Sequence, residues 1–264
     1  MKSKVSIIQV IKESLHFYFQ KDNFIFIIKL YSILFILFLI LHIFGSYKVE
    51  LLIDRLYKYL FFGEALEITK SDISTILIAI LISLTIYIVH PIIKTNTFYY
   101  YKSREKNVIK SLIENRKYYA GMIFLYFFIL FLYLLVILFI VALYIILFGN
   151  SFDKKSYFYF IFSIAFFIIF MIILNKLYLS RVAYIFEDIS VIKSLKESWE
   201  KTSYIDAFKI FILENIADIP LYLTYILSLT VPGFNIIYIA ISSFFVYPLT
   251  NLFPIFAYEM IFKK

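Results

Sequence analysis

The chain has 264 residues, of which 63% are hydrophobic and only 17% charged, and a formal charge of +8 at pH 7. Soluble domains are nearer half apolar and a quarter charged, so a soluble globular fold is excluded: it would lack the interior to hide so much apolar surface. With no Cys, disulfides, thiolate zinc sites, iron–sulfur ligation and Cys nucleophiles are excluded as well.

The N-terminal stretch MKSKVSIIQVIKESLHFYFQKDNF has no signal-peptide pattern, so the apolar run after it is expected to be a retained first span, 24–44. A polar stretch containing KVELLIDRLYKYLFF follows. The second span, 74–93, is expected to continue as helix through TFYYYKS. The third, 121–149, is long enough to require tilt. The short loop NSFDKKS leads to the fourth, 157–174, expected to extend helically through LYLSRVAYIFED. The fifth, 207–230, carries Pro220, and the turn VPGFN connects it to the sixth, 236–262. Runs this long and unalternating are helices rather than barrel strands, because only helices or closed barrels satisfy the backbone in lipid. The fold class is therefore all-α: one polytopic membrane domain, 1–264, with six transmembrane helices.

Lys and Arg fix the sidedness. The N-terminal segment holds four, the second loop seven (counted from Lys94), the fourth loop six and the C-terminus two, which makes 19 against 6 in the first and third loops. The remaining one, Lys29, lies inside the first span. The asymmetry places both termini in the cytoplasm of a prokaryotic cell membrane. In such a chain the basic excess suits anionic headgroups rather than nucleic acid.

Three stretches interrupt the apolar runs. In VIKSLKESWEKTSYIDAF, Val191, Ile192, Leu195 and Trp199 recur at helical spacing, with Lys193, Lys196, Glu197, Glu200 and Lys201 opposite. VIKSLIENRKYYAGM sets Ile109, Leu112 and Ile113 against Lys106, Lys110, Glu114 and Lys117. VIKESLHFYFQKDNF uses Ile8, Ile11, Leu15 and Phe19, with Lys12 and Glu13 opposite. Such helices lie flat at headgroup level, with Trp199 inward and lysines such as Lys193, Lys196, Lys201, Lys110 and Lys117 at the interface. Each precedes an odd-numbered span. The chain thus reads as three repeats (1–101, 102–185, 186–264) of amphipathic interfacial helix plus transmembrane hairpin.

The tract LSRVAYIFEDISVIKSLKESWEKTSY has an Arg ending a span (Arg181), an acidic pair (Glu187, Asp188) and an amphipathic helix ending in Ser-Trp-x-Lys (Ser198, Trp199, Lys201). It resembles a loose group of bacterial and archaeal six-span proteins that includes the membrane domain of some glycerophosphoryl diester phosphodiesterases. Ser194-Leu195 stands where relatives often have Ala-Leu, and Ser203 where they have Gly. The resemblance implies a membrane module without established chemistry. The phosphodiesterase activity of that family belongs to a separate soluble barrel, and no His-Arg-Gly tract is present here.

The fifth span contains ILENIADIP, where Glu214, Asn215 and Asp218 share one helical face. Asp218 lies about 18 Å along the helix from Asp206, near mid-membrane, where an ionisable group costs roughly 2.5–3.5 kcal/mol and needs a partner. Lys29 and Arg181 are the candidate counter-charges, and Pro220 and Pro91 are candidate hinges. The alternative is that the two acids form structural ion pairs or sit protonated in a packed interior. His90 reads as a satisfied histidine at a kink, and Asn175 and Lys176 as snorkelling at the interface. No catalytic constellation, metal site, cofactor motif or GxxxG packing motif is found. The expectation is a non-enzymatic multi-pass protein acting as an interaction or lipid-associated module, with the bilayer, anionic lipid or another membrane protein as partner. The alternative is a small secondary transporter with its polar site on the fifth span.

Overall fold

In a computed structural model of the chain, the described residues are 4–43, 70–148, 156–230 and 234–263. The polar stretch around KVELLIDRLYKYLFF, residues 150–155 of the NSFDKKS loop and 231–233 of the VPGFN turn lie outside them. The described residues are almost entirely helical and contain no strand. The helices are α1 (Ile7–Phe19), α2 (Lys21–Leu41), α3 (Lys70–Ser103), α4 (Val108–Glu114), α5 (Arg116–Phe148), α6 (Ser156–Asn175), α7 (Ser180–Phe186), α8 (Val191–Lys201), α9 (Tyr204–Thr230), α10 (Phe234–Ile241) and α11 (Tyr247–Phe262). Six stretches are long and apolar enough to span a membrane: α2, α3, α5, α6 with α7, α9, and α10 with α11. The protein is an all-α polytopic membrane protein.

The spans pack in chain order. Neighbouring spans touch from α2 through α3, α5, α6 and α9 to the last, which packs back on α2 and closes a ring. The outward faces carry large exposed apolar side chains such as Leu77, Leu81, Leu138 and Leu223. A contiguous surface of this kind is stable only against hydrocarbon. Inside, aromatic packing dominates: Phe26 stacks on Tyr100 with centroids 3.9 Å apart, and Tyr18, Tyr31 and Tyr258 are also fully buried.

The amphipathic helices α1, α4 and α8 begin at side-chain caps from Ser6, Asn107 and Ser190 respectively, each satisfying an orphan N–H of the first turn. Each buries a serine against the spans: Ser14, Ser111 and Ser194 are all 0% exposed, while Ile8, Ile109 and Ile192 stand out from the bundle. The small residue allows close approach to the spans. In α1 the side facing the bundle is Val10, Phe17 and Tyr18, while Ile8 and Phe19 of the apolar stripe stand clear of it. The interfacial lysines are exposed, but several are held by the chain's own acids. Lys110 pairs with Glu105 at 2.7 Å, Lys201 with Glu197 at 3.1 Å and Lys196 with Glu200 at 3.9 Å, and Lys117 reaches Asp188 at 3.2 Å.

Two expectations are corrected. The fourth span does not continue smoothly, since α6 stops at Asn175 and residues 176–179 form tight turns before α7. Asn175 and Lys176 do not snorkel: both are buried, and Lys176 Nζ lies 4.5 Å from the Trp199 ring and 4.3 Å from the Tyr204 ring. The even-numbered spans each bury one Asn, namely Asn96, Asn175 and Asn251. Asn96 is the best connected, accepting from Ser111 Oγ at 2.9 Å and Asn115 Nδ2 at 3.0 Å and donating to Tyr119 Oη at 2.9 Å.

Candidate functional site

Between the spans lies a cavity of about 300 Å³ whose wall is assembled from five elements. Helical spacing explains each contribution. His90 and Lys94 are four apart on α3, Tyr126 and Tyr133 seven apart on α5, and Glu214 and Asp218 four apart on α9, so each pair faces the same way. Thr250 and Asn251 come from α11.

Tyr178 and Arg181 reach the cavity because the fourth span changes pitch. Tyr178 N bonds to Asn175 O at 3.2 Å and Ser180 N to Leu177 O at 3.1 Å, the i→i−3 pattern of a 3₁₀ turn. In that winding residues three apart eclipse, so Arg181 stacks its guanidinium 4.4 Å from the Tyr178 ring centroid. Lys94 Nζ lies 5.4 Å from the same ring. One aromatic ring therefore serves two cations, a favourable contact that leaves both charges unneutralised.

The electrostatics are unusual for a membrane interior. Lys94 and Arg181 are both buried, at 5% and 6% exposure. Among the described residues neither is in an ion pair, and Arg181 Nε, His90 Nε2 and Asn251 Oδ1 have no hydrogen-bond partner. Asn251 does donate from Nδ2 to Tyr31 Oη, at 2.5 Å. Cations line the α3 and α7 side and carboxylates the α9 side. Stranded polar atoms of this kind are costly in a low-dielectric medium.

Of the site expected from sequence, the structure brings together Glu214, Asp218 and Arg181. It leaves out Lys29 and Asn215, which are both exposed; Asn215 Nδ2 donates back to Phe211 O at 2.7 Å. Neither proline interrupts its helix. Thr95 and Thr224, four residues on, return hydroxyl bonds of 2.8 and 2.7 Å to the carbonyls of Pro91 and Pro220. The expected satisfied His90 is instead unpartnered at Nε2, with only the rings of Tyr126 and Tyr247 against it. Lys94, counted as a loop residue from sequence, is the main residue missed. The signal that points to it is the helical continuation of the second span through TFYYYKS, which carries Lys94 well inside the helix.

A second cavity of about 290 Å³ adjoins the first, lined by Leu34, Phe38, Leu41 and Ile86 and sharing His90, Tyr126 and Tyr247 with it. No family model matches the chain, and neither a curated protein nor a solved structure matches it at a significant level.

Proposed function

We propose that the chain is a non-catalytic protein of a prokaryotic cytoplasmic membrane that binds a small charged ligand inside its ring and carries it, as a small secondary transporter does. One observation supports this reading above the rest: buried Lys94 and Arg181 face Glu214 and Asp218 across a cavity without closing ion pairs. Charges kept only for structure lower their cost by pairing directly. Charges held apart around a space are arranged for something that enters it.

A second reading, an interaction or lipid-associated module, is favoured by the surface helices. Exposed Ile8, Ile109, Ile192 and Trp199 beside Lys193 and Lys196 suit a bilayer surface with anionic lipid, or the cytoplasmic face of another membrane protein. Cytoplasmic termini and the three-unit organisation belong to the same proposal. The recurring caps, buried serines and buried asparagines support it, and it is the layout that the resemblance to the phosphodiesterase membrane domain implies.

Thermal unfolding of the detergent-purified protein with phosphate, phosphoethanolamine or glutamate tests the first reading. A ligand at 100-fold its Kd adds about 2.7 kcal/mol to stability. Phosphoethanolamine is expected to raise Tm in the wild type and not in Arg181→Met. In proteoliposomes, Asp218→Asn and Glu214→Gln are expected to abolish flux of the stabilising probe with Tm nearly unchanged. If no probe shifts Tm, or if both acid variants merely lower it, the reading fails.

A further inference from the structure

We infer that the ligand is a zwitterionic amphiphile, with an ammonium and phosphate headgroup in the polar cavity and a hydrocarbon tail in the apolar one. This rests on the ligand-binding reading above and adds the chemical class.

The headgroup follows from the charge layout. The α3 and α7 wall offers the Lys94 ammonium and the Arg181 guanidinium, donors suited to a phosphate. The α9 wall offers the carboxylates of Glu214 and Asp218, acceptors suited to an ammonium. Two positive and two negative side chains around one space leave no formal surplus of either sign. An ion of a single sign would face a wall of its own charge on one side, whereas a group carrying both signs matches each wall.

The tail follows from the second cavity. Leu34, Phe38, Leu41 and Ile86 give it an apolar wall, with Ser83 and Tyr87 beside the shared residues, and a predominantly apolar space takes hydrocarbon. Its 290 Å³ is many times the roughly 10–15 Å³ that a single water needs, so the space has room for a hydrocarbon chain.

The two cavities meet at His90, whose ring lies 5.6 Å from Tyr126 and 5.4 Å from Tyr247; Tyr247 in turn stacks on Phe38 at 5.6 Å. The partition is thus made of aromatic side chains rather than backbone. His90 Nε2 has no partner at this junction. The ester or hydroxyl oxygens that join a headgroup to its tail supply one.

Such an amphiphile has two sources: a diacyl lipid of the bilayer, or a free single-chain molecule. Native mass spectrometry of the purified full chain, titrated with short-chain lysophosphatidylethanolamine, with phosphoethanolamine and with short-chain lysophosphatidic acid, tests the inference. The expected result is lysophosphatidylethanolamine binding at least ~10-fold tighter than either other probe, a difference of about 1.4 kcal/mol. Ser83→Phe, which fills the second cavity from α3, is expected to remove that advantage. Retention of diacyl phosphatidylethanolamine through detergent exchange supports the inference with the bilayer as source. Binding of the added single-chain probe alone supports it with the free molecule. If phosphoethanolamine binds as tightly as the amphiphile, the tail assignment is overturned and the ligand-binding reading stands. If lysophosphatidic acid binds as tightly, the zwitterionic assignment is overturned. If nothing binds, both fall together.

Discussion

Arg181 lies against Tyr178 with its guanidinium carbon 4.4 Å from the ring centroid, and its buried Nε has no acceptor. The ring steadies the cation without neutralising it, which a carboxylate neighbour would do. Cation–π contacts are worth up to about 2 kcal/mol when desolvated. Tyr178→Leu is therefore expected to weaken phosphoethanolamine binding roughly 10-fold or more. Tyr178→Phe keeps the ring and loses the hydroxyl's contacts with Thr250 O, at 3.4 Å, and with Glu214, so its affinity should fall much less than that of Tyr178→Leu. Titration by thermal shift measures both.

Gly121 lets α5 approach α7. A Cβ at that position would meet Tyr184 Cζ at 2.5 Å and Cε1 at 3.0 Å, and would run into the Tyr184 hydroxyl. Overpacking of this kind costs about 1–3 kcal/mol. Gly121→Ala is expected to lower Tm, and Tyr184→Leu in the same chain should recover most of the loss. Failure of the second change to rescue the first would place the strain elsewhere.

Asn96 ties α4 to the second and third spans. Replacing it with Ala takes the acceptor from buried Ser111 Oγ and one of two partners from Asn115 Nδ2 and Tyr119 Oη. Buried groups left unpaired cost roughly 1–3 kcal/mol. Asn96→Ala should therefore destabilise more than Asn215→Ala, whose side chain is exposed. Thermal unfolding of the two variants side by side checks the ranking.

Asp188 supplies a pH test outside the spans. The Tyr118 hydroxyl at 2.8 Å and the Lys117 ammonium at 3.2 Å hold its carboxyl below the usual carboxylate range, helped by the more distant charge of Lys102. A depressed carboxylate contributes stability above its unfolded pKa of about 3.9 and loses it as pH falls through the lower folded value. Wild type should thus exceed Asp188→Asn in Tm at neutral pH, and the gap should close below about pH 4. The site is exposed and the pairs are surface pairs, so the gap is small. Asn tolerates the left-handed backbone that Asp188 adopts, with φ of 51°, so the comparison isolates charge.

The spans were legible because their hydropathy leaves only one environment for them, and the surface helices because charge interrupts apolar periodicity. Glu214, Asp218 and Arg181 were legible because ionisable groups in an apolar run need a reason. Which way they face was harder to read. A helix apolar on every side carries no stripe to orient it, so Lys29 on α2 looked as eligible as Arg181, and Asn215 as eligible as its neighbours. Lys94 was hidden differently: α3 runs on beyond the hydrocarbon, so a lysine nine residues before its end, about 13 Å in, resembled the loop lysines that follow it. The 3₁₀ turns at 176–179 that bring Tyr178 and Arg181 together have no Pro or Gly to mark them.

The central claim, an entered polar cavity with a cationic wall, is tested most directly by thiol labelling, since the natural chain has no Cys to interfere. Thr250→Cys lines the cavity, whereas Leu223→Cys sits on the outer surface of α9. With an anionic methanethiosulfonate applied to inside-out vesicles, Thr250→Cys should react at least ~10-fold faster than Leu223→Cys, and adding Arg181→Met should slow it by a similar factor. Equal rates at the two cysteines, or a rate at Thr250→Cys unaffected by Arg181→Met, would contradict the account.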